Sequence, residues 1–332
     1  MMTLLLLFAL DSATIAHIAV TPHESLTVRI TQTSATGASD GTPVVFLPGL
    51  LGGAFGFRKV ALGVAAAGHP AYAIEPLGVG TSSHPDDGDY SLDAQADRIA
   101  TVLDTLEVTG AVIAGSNFGA SLALRLAYRH PERVSAVLLL DGGPVDRSSN
   151  GGASIALRLA PVLKFFGARG IARRRIADAL RDYSASPTWV TDSVVDEYAR
   201  PIVSDLGGAA RVLSAMRRAA VNTPLAELLS QIRQPVRLLI GSANRRGGIE
   251  SSETALLRER IRDFGEDSVA NSGVYVHEEH PEVVVKAVLL LVDRRDHRVA
   301  VTAETSEHAD SSLRSMRSRE ATLSRRLPCF PT

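Results

Sequence analysis

The stretch from Gly110 to Pro144, GAVIAGSNFGASLALRLAYRHPERVSAVLLLDGGP, constrains this chain more than any other. A short apolar run, Ala111 to Ala114, ends in Gly115. From Phe118 to His130 apolar residues recur at helical spacing, Leu122 with Leu126 and Ala123 with Ala127. Pro131 stops that helix. Val134 to Leu140 is continuously apolar, as a parallel strand covered on both faces should be. Small residues at Gly115, Gly119 and Ala120 let the helix sit close to the strand. A strand, a sharp turn, a helix and a second buried strand predict an α/β fold.

The turn at the centre of this unit resembles the nucleophile elbow of the α/β-hydrolase family. There a G-x-S-x-G bend lifts a serine to the top of the sheet. In that register Gly115 and Gly119 are the two glycines, Asn117 is the tip residue and Ser116 sits one place early. Other segments carry the same resemblance. Pro43 to Pro48 is a buried strand running into Gly49-Leu50-Leu51-Gly52-Gly53, where the family has an HG-type loop; Pro48 replaces the usual His. Pro76 to Ser82 is similar to the family's D-x-P-G-x-G-x-S loop. The resemblance implies a mostly parallel central sheet flanked by helices, with an inserted helical cap. It places the core at 13–144 and 231–292 and the cap at 145–230, while the polar, Ser/Arg-rich composition of 293–332 reads as a disordered tail.

The remaining elements follow in order. Residues 13–20 and Ser25 to Gln32 read as a hairpin, Phe57 to Ala67 and Leu92 to Leu106 as helices, and Ala71 to Glu75 as a strand. The cap is expected to hold helices at about 153–166, 168–184, 192–199 and 206–219. Trp189, Tyr183 and Phe166 could line a pocket beneath it, and Arg169, Arg173, Arg174 and Arg175 read as a solvated face. Pro235 to Gly241 returns to the sheet, Glu253 to Phe264 is a helix, Asp267 to Ser272 a weak last strand, and Glu282 to Val292 the closing helix.

The resemblance also implies a catalytic triad, and the residues at its positions do not match. The acid follows the strand corresponding to Val236 to Ile240, which puts Asn244 there. The base belongs to a G-H-x-x-H-E segment, which puts Val274 at the usual position in Gly273-Val274-Tyr275-Val276-His277. A serine needs such partners to become a nucleophile. Ser116 is the fallback nucleophile, expected to point away from the substrate face because neighbours on a strand alternate. His277 is the best substitute base. Asn117 is expected to ease the strained tip, because Asn tolerates positive φ. Its amide, with the N–H groups of Leu50 and Phe118 beside Gly49, would make an oxyanion site that works without covalent attack.

Composition narrows the classes. A net charge of -1 over 332 residues argues against nucleic acid and anionic membrane surfaces. Cys329 is the only cysteine, so no intramolecular disulfide and no cysteine-based metal site is expected, and no cofactor is implied. Leu4 to Leu10 is apolar but far shorter than the ~20 residues of a membrane span. Residues 1–16 read as the greasy start of a first strand in a cytoplasmic protein, with a secretory signal as the other reading. Three functions stay open. One is an atypical enzyme acting on a small apolar or amphipathic carbonyl compound as a cyclase, isomerase or lyase. Another is a pseudoenzyme that binds a ligand or partner. The third is an ordinary esterase or epoxide-hydrolase-like enzyme.

Overall fold

The computed structural model describes residues 13–32, 41–146, 167–243 and 247–296. Eight strands form one sheet in the order β1-β2-β4-β3-β5-β6-β7-β8. They are β1 Thr14–Thr21, β2 Glu24–Thr31, β3 Val44–Leu47, β4 Ala71–Glu75, β5 Ala111–Ser116, β6 Val134–Leu140, β7 Val236–Gly241 and β8 Phe264–Val269. β1 and β2 pair antiparallel, as does β2 with β4; all later pairs are parallel. β3 and β5 are buried along their whole length, which explains their unbroken apolar sequence.

The helices are α1 Arg58–Ala66, α2 Leu92–Thr105, α3 Phe118–Arg129, α4 Ala168–Asp182, α5 Asp192–Ser204, α6 Leu206–Arg218, the one-turn α7 Leu225–Leu228, α8 Ser251–Arg260, the one-turn α9 Val276–Glu279, and α10 over 281–296. Between β6 and β7 the described residues hold helical elements and no strand. α4 to α6 carry a small aromatic cluster in which Trp189 packs on Tyr198 and Tyr275. The chain divides into two compact units, Met1–Leu291 and Val292–Thr332; of the second, only 292–296 are described, as helix.

Several boundaries differ from expectation, and the closing helix, expected to end at 292, runs on to 296, into the stretch read as disordered tail. A 3₁₀ turn, Gly53–Phe57, precedes α1, because Gly52 and Gly53 take positive φ and tighten the entry. α5 continues past 199 to Ser204 with Pro201 inside it. α8 stops at Arg260, where Ile261 turns extended, and Phe264 opens β8 opposite Val236. The strand expected at 267–272 therefore lies at 264–269. The sequence Phe264-Gly265-Glu266-Asp267-Ser268-Val269 is too polar to read as a strand because β8 is a sheet edge with three exposed residues in its middle. The expected helix at 153–166, Phe166, and the tail beyond 296 lie outside the described residues.

Candidate functional site

The site is built where β3, β5, β6 and β7 end on the same side of the sheet. β5 runs through Ser116, and α3 starts at Phe118, so one residue makes the whole reversal. That residue is Asn117, with φ 51° and ψ −115°. The bend is possible because nothing projects into it. A Cβ on Gly115 would lie 2.1 Å from the Gly119 carbonyl oxygen, and one on Gly119 would lie 2.0 Å from that of Leu47. Gly142, after β6, is as constrained, since its Cβ would come within 2.8 Å of the Asn117 backbone nitrogen.

The expected easing of strain by Asn117 is corrected here. Asn tolerates the left-handed helical well, where ψ is about +30° to +60°. At ψ −115° the tip lies outside that well. Such positions cost roughly 1–3 kcal/mol. Asn117→Gly should therefore stabilise the chain by about 1 kcal/mol, once the greater freedom of unfolded glycine is deducted. Urea unfolding of the two proteins checks this; a less stable glycine variant would contradict a strained tip.

Around Asn117 is a cavity of about 70 Å³. Gly49, Leu50, Ser116, Phe118, Val274 and His277 all border it. Phe118 begins α3, so its N–H has no intrahelical acceptor. Among the described residues the Leu50 N–H has none either. Gly49 keeps the approach open: a Cβ there would lie 3.4 Å from the Asn117 Cβ and 3.8 Å from Ser116 Oγ. Ser116 is buried and borders the same cavity.

His277 is on α9, buried, stacked on Phe57 with ring centroids 4.8 Å apart. Its Nδ1 is buried without a hydrogen-bond partner. Burial, helped by Arg58 and Lys59 and opposed by Glu278, lowers its pKa to about 4, so the imidazole is neutral at pH 7. Val274 is buried and its N–H donates to the Tyr183 carbonyl. Tyr183 also borders the cavity, while Trp189 belongs to the aromatic cluster. Asn244 lies outside the described residues.

Sequence reasoning missed two buried carboxylates. Asp141 follows β6 with φ 44° and borders the cavity. It accepts hydrogen bonds from the N–H groups of Gly241 (3.1 Å) and Ile249 (3.0 Å), tying the segment after β7 to the end of β6. The signal was available: an Asp between a buried strand and two glycines. Glu278 has a fully buried side chain and meets Arg58, Lys59 and Tyr198. Only long-range contacts reveal it, since its partners are 80 to 220 residues away. Arg173, read as part of a solvated face, bridges α4 to Asp192 and Asp196 on α5. Among the described residues there is no group of three or more His, Cys, Asp or Glu placed to hold a metal, and no helix long and apolar enough to cross a membrane.

A model of the alpha/beta hydrolase fold matches residues 42–180. A 2-hydroxymuconate semialdehyde hydrolase of Pseudomonas sp. (strain CF600) is 42% identical over 73 residues, 22% of this chain and 26% of that one. The chain thus spans only about a quarter of the length of that relative. A longer match, 29% identical over 229 residues, covers 67% of this chain and 80% of an Azorhizobium caulinodans protein provisionally named a carbamate hydrolase. Among solved structures, an esterase from Rhodococcus sp. ECU1013 superposes with a TM-score of 0.67 at 21% identity, covering 84% of this chain and 98% of the esterase.

Proposed function

From the premise that this chain is an α/β-hydrolase-fold protein, we propose that it binds a small carbonyl compound at Asn117 and acts on it without a covalent intermediate, as a cyclase, isomerase or lyase. The observation that carries this reading is an amide side chain at a strained tip, beside the two N–H groups of Leu50 and Phe118. In this proposal the donors of three residues that border one small cavity, Leu50, Asn117 and Phe118, hold an oxygen that gains negative charge, as an enolate or alkoxide does. His277, a neutral imidazole on the same cavity, is the proton acceptor in this proposal. It takes a proton from the carbon next to the carbonyl, and the electron pair moves to the oxygen held by the donors. Asn244 would add a further amide, and Ser116 is not the nucleophile. Val274 stands at the usual base position, and in this proposal His277 serves the substrate carbon and not a serine hydroxyl. The helices over 145–230 serve as a cap, and the protein acts in the cytoplasm.

A second reading is a ligand-binding protein without turnover. It is favoured by His277 itself, whose buried ring is a weak base. Hydrolysis, the activity in the relatives' names, is the third.

One experiment separates the three. In D₂O the protein should speed exchange of the α-protons of simple ketones, followed by NMR, and Asn117→Ala should cut that rate about 100-fold. A fluorophosphonate should label no serine. Exchange unchanged by Asn117→Ala would refute the donor role. Ketone binding without exchange would leave the binding reading, and stoichiometric labelling of Ser116 would restore the hydrolase.

A further inference from the structure

A second cavity, of about 200 Å³, lies beside the first, between α5, α6 and the segments 50–53 and 78–84. Leu50 and Leu51 border both cavities, so the two compartments adjoin. Leu51, Ile202, Leu206, Val212, Leu213 and Met216 supply most of the apolar lining of the larger one.

Its polar side chains are all engaged with the protein. Thr81 Oγ1 donates to Glu75 and Ser82 Oγ to the Glu75 carbonyl. His84 contacts Asp205 at 3.3 Å, Ser204 Oγ donates to the Pro201 carbonyl and the Tyr198 hydroxyl donates to Glu278. With each of these side chains bonded to the protein and the rest of the lining apolar, the space suits an apolar occupant better than ordered water.

Size defines the occupant. An apolar cavity of about 150 Å³ takes up benzene. On that scale the larger cavity, about 200 Å³, holds roughly eight carbons, and the cavity at Asn117, about 70 Å³, holds roughly three non-hydrogen atoms.

We infer that the ligand is a carbonyl compound with a three-atom polar head at Asn117 and an unbranched or aryl tail of six to eight carbons between α5 and α6. This inference rests on the carbonyl reading of the tip cavity for its head group only; the tail site stands on the second cavity. The selective feature is the tail's length, limited by the lining side chains, Leu213 and Met216 among them.

Methyl n-alkyl ketones, from 2-butanone to 2-dodecanone, are the probes, and calorimetric titration of the full chain is the measurement. Each added methylene should tighten Kd about threefold to fourfold until the alkyl chain reaches about eight carbons, and should then add nothing. Ala209→Phe, which projects a ring into the space, should move the plateau to shorter chains. Leu213→Ala should move it to longer ones. Thermal melting confirms that each variant is folded, and because the two shift the plateau in opposite directions, a folding defect in one leaves the other decisive. Affinity that does not rise with chain length, a plateau unmoved in a folded variant, or no binding by any ketone overturns the tail site. Asn117→Ala tests the head separately. It should weaken every ketone by a similar factor and leave the increment per methylene unchanged. An increment that survives while Asn117→Ala has no effect keeps the tail site and removes the head reading.

Discussion

Glu278→Ala is expected to lower the unfolding free energy by about 3 kcal/mol, read from denaturant midpoints. The carboxylate joins three elements. It is on α9, pairs with Arg58 and Lys59 of α1 (Lys59 Nζ at 3.0 Å), and accepts the Tyr198 hydroxyl of α5 at 2.9 Å. Removing it takes the counter-charge from two cations, which keep only carbonyl partners, and the acceptor from a buried hydroxyl. Breaking a buried pair in this way costs roughly 3–5 kcal/mol, and the lower end applies because the Lys59 side chain is more than a third exposed. Tyr198→Phe removes only one hydrogen bond and should cost about 1 kcal/mol. The double variant should then cost less than the sum, since the phenol has already lost its acceptor. A loss under 1 kcal/mol for Glu278→Ala would show that the cluster holds nothing together.

Between pH 6.5 and 4 the wild-type chain should lose about 3 kcal/mol that a His277→Phe variant keeps. In the folded chain burial holds the imidazole neutral down to about pH 4, against 6.5 when exposed. Between those values the unfolded chain binds the extra proton, so stability falls as pH falls through the window and is level above it. A difference of about 2.5 pKa units corresponds to about 3 kcal/mol. Glu278 pulls the ring toward protonation while Arg58 and Lys59 oppose it, so the low value reflects burial first and these cations second. Phenylalanine preserves the stacking on Phe57 but has nothing to titrate. Unfolding of both proteins at pH 4, 5, 6 and 7 gives the difference directly. Parallel curves would mean that His277 is open to water in solution.

The elbow was legible because its pattern is local. Gly115, Gly119 and the apolar runs on either side determine a strand, a bend and a helix within twenty residues, and the tip at Asn117 follows from counting. What a one-dimensional pattern does not carry is dihedral detail and distant partners. That Asn117 lies outside the left-handed well depends on ψ, which composition does not report. The edge strand β8 was read three residues late because half of it faces water. Asp141 and Glu278 were passed over as ordinary charges, since their burial arises from segments far along the chain.

Gly115, Gly119 and Gly142 set the bend through their contacts with neighbouring backbone, and none of those contacts depends on which side chain residue 117 carries. The scaffold is therefore a socket. A single codon change can mount an amide, a hydroxyl, a thiol or a carboxylate at the same apex, and selection can try new chemistries there without first redesigning the architecture that holds them.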